Sequence, residues 1–136
     1  MIYQSQRKLR YGKTNVVLDI EQDLVNYYRK LLPKSISNYL QRQMYDAHIS
    51  VVRKEIVEPK MEFWGKYEGE IVDFIYSNEI RNSEVYYWID IWSKRLEEIR
   101  EELGLPNESL YIQPPVGLRK TFHATLGNKK HMCSTL

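Results

Sequence analysis

Two stretches of the chain share one plan, and this duplication limits the available folds more than any other feature of the sequence. The first stretch is Asn15-Val-Val-Leu-Asp-Ile20, a polar–apolar segment from Glu21 to Leu32, then Ala47-His-Ile-Ser-Val-Val52. The second is Val85-Tyr-Tyr-Trp-Ile-Asp-Ile91, the segment Ser93 to Leu103, then Thr121-Phe-His-Ala-Thr-Leu126. Each reads strand, helix, strand, because the outer pieces are short and rich in Val, Ile, Tyr and Trp. Two such units are each too small to close a core, so they share one. The expected fold is α+β and bilobed, with two pseudo-symmetric strand-helix-strand lobes, helices outside and a central cleft. One domain spans 1–136, with lobes near 14–54 and 68–127 and a basic tail at 128–136.

The helices carry their own signals. Leu24, Tyr27, Tyr28, Leu31 and Leu32 recur at helical spacing until Pro33 stops them, and Asp19 is a candidate cap. In the second unit Leu96, Ile99 and Leu103 share a face. The opposite face, with Arg95, Glu97, Glu98, Arg100, Glu101 and Glu102, reads as a solvated stripe. Ser93 suits the N-cap, and Gly104 with Pro106 marks the stop. Glu70 to Ser77 reads as a further strand, forming a hairpin with 84–92. Residues 53–67, with Trp64, form a linker or lid, and 104–118 an irregular loop.

Composition narrows the function classes. A chain of 136 residues fits one self-sufficient domain. Twenty basic and eighteen acidic side chains give +2, without the strongly basic face that long duplex DNA requires. The basic residues gather at 1–13 and 117–131, and the two ends would make an anion site if they met. No apolar run reaches membrane-spanning length, and the polar N-terminus has no signal-peptide core. The single cysteine, Cys133, excludes an internal disulfide and a Cys-rich zinc module, and fits a cytoplasmic location. Zinc, calcium and P-loop motifs are absent, so no metal or other cofactor is expected.

The chemistry lies in the last strand of each unit. His48-Ile49-Ser50 and His123-Ala124-Thr125 are both His-x-hydroxyl, at matching places in the repeat. Side chains alternate along a strand, so His48 and Ser50 share one face and His123 and Thr125 share another. Ala47, Ile49 and Val51, like Phe122, Ala124 and Leu126, turn to the helix side. A pseudo-two-fold relation would bring two imidazoles and two hydroxyls to one cleft. In-line displacement at phosphorus needs that set: a base for the attacking oxygen, an acid for the departing one, and donors for the phosphate oxygens.

These paired motifs, His48/Ser50 and His123/Thr125, resemble the two-histidine (2H) phosphoesterase superfamily, over roughly 14–127. The resemblance implies a bilobed fold and metal-independent cleavage of a cyclic phosphodiester. The two His would act as acid and base, and Ser50 and Thr125 would bind phosphate. Ser50 stands where Thr is commoner. The superfamily includes RNA 2′,3′-cyclic phosphodiesterases and small bacteriophage proteins that degrade cyclic oligonucleotide messengers of bacterial defence, the anti-CBASS type. The compact single chain looks more like the phage members. The implied substrate is a small cyclic oligonucleotide, or alternatively an RNA end; a non-catalytic nucleotide-sequestering module is the remaining alternative.

Around the motifs, strand parity places Arg119 on the His123 face and Lys54 on the His48 face, as candidate phosphate-binding cations. Trp88 and Tyr86 share the face of Asp90 and Trp92 and are candidate base-stacking residues. Tyr11 is a further stacking candidate. His131, in the basic tail, is expected to be exposed and not catalytic.

Overall fold

The computed structural model describes residues 2–42, 46–109 and 113–130. The chain runs β1 (Ile2–Tyr11), β2 (Val16–Asp19), α1 (Gln22–Leu31), α2 (Lys34–Ser37), β3 (His48–Val52), a 3₁₀ turn (Met61–Phe63), β4 (Ile71–Asn82), β5 (Tyr86–Trp92), α3 (Lys94–Glu102) and β6 (Phe122–Asn128). Every strand pairs antiparallel with its neighbours, and the sheet closes as a barrel in the order β1-β2-β3-β6-β5-β4. The duplication is plain in that order. Each half is strand, strand, helix, strand: β1-β2-α1-β3 and β4-β5-α3-β6. The halves join at two seams, β3 on β6 through Ile49 and Ala124, and β1 on β4 from Ile2 opposite Ser77 to Lys8 opposite Ile71.

Each half thus begins one strand earlier than the repeat in the sequence suggests. The first opens at β1, inside the segment read as a basic N-terminal end. The second opens at β4, read as a strand between the halves. The sequence hides β1 because its outward face is polar and Leu9 is its one deeply buried side chain. Its register against β4, not its own hydrophobic pattern, holds it in the sheet.

One core serves both halves. Leu9, Leu18, Ile49, Phe74, Ile89 and Ala124, one from each strand, cluster with Val25 and Tyr28 of α1 and Leu96 and Ile99 of α3. Burying such a side chain contributes about 1.5–3 kcal/mol. In α1 the buried pair is Val25 and Tyr28, while Tyr27 and Leu31 lie on the exposed side of the turn. Asp19 does not cap α1; it pairs with Arg10, and the cap position is Glu21, without a side-chain bond. Ser93 does cap α3: its Oγ accepts from the Leu96 N–H at 3.2 Å and donates to the Asp73 carbonyl.

The supposed solvated stripe of α3 needs correction at two places. Glu97 and Arg100 are buried, because both face polar backbone rather than water. Glu97 accepts from the backbone N–H groups of Arg119 and Lys120 at 2.7 and 3.0 Å, fixing the approach to β6. Arg100 donates to the Val51 carbonyl at 2.8 Å and to Glu55 at 2.5 Å. Arg29 of α1 does the same in reverse, donating to the Leu126 carbonyl at 2.6 Å and the Leu40 carbonyl at 2.8 Å. Each guanidinium therefore grips the carbonyl three residues beyond the motif histidine of the opposite half. Gly127 leaves room for this: a Cβ there would stand 2.5 Å from Arg29 Nη1 and 2.7 Å from the Gln41 carbonyl.

The two basic ends do not meet. β1 and β6 are separated by two strands in either direction round the barrel. Arg7 and Arg10 pair with Glu21 and Asp19, and Arg119 with Glu97 and Glu101. Among the described residues, no helix is long and apolar enough to cross a membrane.

Candidate functional site

The pairing of Ile49 with Ala124 sets the site. In an antiparallel pair it puts His48 opposite Thr125 and Ser50 opposite His123. Ile49 and Ala124 are fully buried, and the four motif side chains lie on the other face. The two histidines stand on a diagonal, at about 7–8 Å by the usual spacing of such neighbours. His48, Ser50 and Thr125 are half-buried and His123 is exposed. The strand alternation read from sequence holds on both strands.

The flanking strands extend the array. On β5, Trp88 is opposite Thr125 and Asp90 opposite His123. On β2, Asp19 is opposite His48 and Val17 opposite Ser50. Each histidine therefore has an aspartate as its outer cross-strand neighbour. Each aspartate is in turn paired with an arginine of the next strand: Arg10 on Asp19 at 2.7 and 3.1 Å, and Arg81 with Asp90 at 3.5 Å. Asp90 is 3% exposed and accepts from Trp88 Nε1 at 3.0 Å. The Trp88 ring meets the His123 ring edge-on, 5.4 Å between centroids.

The two imidazoles sit in different electrostatic surroundings. The His48 Nδ1 lies 2.8 Å from the Asp46 carbonyl. A carbonyl only accepts, so Nδ1 carries the proton and Nε2 is the open position. The His123 ring is held below the ordinary imidazole pKa. Desolvation by its neighbours is the main cause; Lys120 and Arg81 add to it, and Asp90 opposes it.

A cavity of 660 Å³ adjoins His48, lined by Arg10, Asn15, Val17, Asp19, Ile20, Gln22, Asp46 and Ala47. That volume suits a nucleotide-sized ligand. On the His123 flank, Trp88 stands against the ring instead.

The other candidates divide. Trp88 joins the site. Tyr86, one alternation further along β5, is exposed with Lys130 over its ring at 5.3 Å. Lys54 is exposed in the bend beyond β3, past the last residue to which strand parity applies. Arg119 precedes β6 and is drawn to Glu97 and Glu101 of α3, so parity does not govern it either. Tyr11 lies on the inward side of β1 and packs edge-on against Trp64, 5.6 Å between centroids. Trp64 donates to the Gly12 carbonyl, so it anchors the 53–67 segment. Trp92 is buried and bonded to Thr121 Oγ1. His131 and Cys133 lie outside the described residues.

Sequence reasoning missed Arg81, Arg10 and Asp46. Arg81 has no readable signal, because β4 shifts register against β5 between Tyr76 and Ile80. Arg10 becomes visible only once β1 is known to be a strand. Among the described residues, no group of three or more His, Cys, Asp or Glu is placed to hold a metal ion. In comparisons with protein-family models, curated proteins and solved structures, the chain matches none.

Proposed function

We propose that the chain is a phosphodiesterase of the two-histidine kind, hydrolysing a cyclic oligonucleotide or other cyclic phosphodiester at the face shared by β3 and β6. The observation that carries this is the Ile49–Ala124 pairing, which gathers two histidines and two hydroxyls from distant segments onto one surface. The duplicated halves and the strand order support the likeness to a bilobed 2H architecture, with the β3–β6 seam as its centre.

The reaction follows from the geometry. A phosphate seated between His48 and His123 receives hydrogen bonds from Ser50 and Thr125 on its non-bridging oxygens. A water oxygen forms the new P–O bond and gives its proton to one imidazole. The opposite P–O bond breaks, and its oxygen takes a proton from the other imidazole. The symmetry of the motifs is broken by their surroundings. Desolvation favours neutral His123, the form that accepts a proton, so His123 is the base; His48 is the acid as an imidazolium, its Nδ1–H held by the Asp46 carbonyl and its Nε2–H given to the departing oxygen. The resting state returns by proton exchange with solvent.

The functional setting, following the resemblance, is the cytoplasm, of an infected host if the chain is viral, with a bacterial defence messenger as substrate. The test is turnover, in EDTA, of a panel of cyclic di- and trinucleotides beside an RNA bearing a 2′,3′-cyclic phosphate end. The expected result is EDTA-resistant cleavage of a cyclic oligonucleotide that His48→Ala and His123→Ala both abolish. Cleavage of the RNA end alone would transfer the same chemistry to RNA repair. Tight binding with no turnover would replace the enzyme by a sequestering module.

A further inference from the structure

We infer that the cavity beside His48 is a guanine-reading subsite, so that one nucleoside of the substrate is selected by its base edge while the other is only stacked. This rests on the reading of His48 and His123 as the phosphodiester site, and it names the substrate side that each flank takes.

The two flanks of the histidine pair are built differently. On the His123 side stands the Trp88 indole, whose only hydrogen-bonding group is committed to Asp90. Such a ring stacks on any base and distinguishes none by hydrogen bonds. On the His48 side the cavity floor is apolar, with Val17, Ile20 and Ala47, all buried. Its polar rim offers groups with unused capacity.

Two rim residues are already spent. Gln22 accepts from the Ala47 N–H through Oε1 and donates to Asn26 through Nε2, so it is wall. The Asp19 carboxylate is forked by Arg10 Nε and Nη2. Two groups remain. The Asp46 carboxylate makes no bond among the described residues; only its backbone carbonyl is used, by His48. Arg10 is fixed in place by Asp19, and its Nη1 makes no bond among the described residues.

A carboxylate unpaired among the described residues and a guanidinium N–H held in place by Asp19, on one rim, match guanine. Guanine presents adjacent N1–H and N2–H₂ donors to a carboxylate and O6 and N7 acceptors to an arginine. Adenine lacks O6 and the N2 amine, and it would turn its N6 amine toward the arginine.

The experiment is binding of guanosine, inosine and adenosine 5′-monophosphates, by calorimetry, to the wild-type chain and to Asp46→Asn. Guanosine monophosphate should bind about ten- to a hundredfold tighter than adenosine monophosphate, with inosine, which lacks the N2 amine, in between. Asp46→Asn should cut the guanine-to-adenine ratio by about tenfold while its carbonyl still holds His48. Equal affinity for the three nucleotides, no binding of any, or a ratio untouched by Asp46→Asn would overturn the subsite. If guanine is preferred but no phosphodiester is cut, the subsite stands and the enzyme reading falls. If phosphodiesters are cut without regard to base, the reverse holds.

Discussion

The two halves of the barrel hold their motif strands by one device and embed it in different media. In each, an arginine of the outer helix reaches across the seam to the carbonyl three residues beyond the opposite histidine. Arg100 is 2% exposed, doubly bonded to Glu55 and also bonded to the Pro106 carbonyl and Asn107. Arg29 is half-buried, reaches two carbonyls and has no acid partner among the described residues; burial lowers its pKa. The start of β3 is tied by one neutral bond to Gln22, and the approach to β6 by two bonds to buried Glu97. The duplicated plan thus supplies the symmetry that a two-histidine site needs. Its unequal burial places the two motif strands in different surroundings.

The sharpest break in the comparison is catalytic. His48→Ala and His123→Ala should each lower turnover by about 10²–10⁴-fold, because each removes one of two proton-transfer groups. Steady-state rates on the preferred substrate would show it, and a loss confined to one variant would deny the second histidine its role.

Stability should divide the halves next. Arg100→Ala leaves Glu55 facing a buried gap and should cost about 3–5 kcal/mol. Arg29→Ala removes hydrogen bonds from a charged group to two carbonyls and should cost about 1.5–3 kcal/mol. Urea unfolding of both variants tests the order. Gly127→Ala, which drives a methyl into Arg29 and the Gln41 carbonyl, should destabilise by about 1–3 kcal/mol.

The smallest effect concerns pH. Desolvation makes His123 bind its proton less readily folded than unfolded, so its stabilising contribution is present above the unfolded pKa, about 6.5. That contribution is lost as pH falls through 6.5 toward the lower folded value. The urea midpoint should therefore drop between pH 7.5 and 5.5, and the drop should shrink in His123→Gln. An equal drop in both would assign it elsewhere.

What the sequence showed of this molecule follows from where local pattern decides structure. β2, β3, β5 and β6 announce themselves through β-branched and aromatic residues in alternation, and the His-x-hydroxyl frames lie on two of them. β1 does not, since its residues are polar and its partner β4 holds it. Glu97 and Arg100 look like solvated helix residues until the carbonyl and N–H groups they satisfy are known. Arg119 and Lys54 fail as parity arguments because strand geometry ends at Val52 and begins only at Phe122. Arg10 and Asp46 come to line one cavity only through the β1–β2–β3 pairing, which the polar sequence of β1 does not announce.

The central claim is that His48 and His123 work as one unit across the β3–β6 seam. The direct measurement is a double-mutant cycle in EDTA: turnover by wild type, His48→Ala, His123→Ala and the double variant on one substrate. Groups that act together give strongly non-additive losses. The double variant should be no slower than about the slower single one. Losses that multiply would mean independent roles, and wild-type turnover abolished by EDTA would mean that a metal, not the histidine pair, carries the reaction.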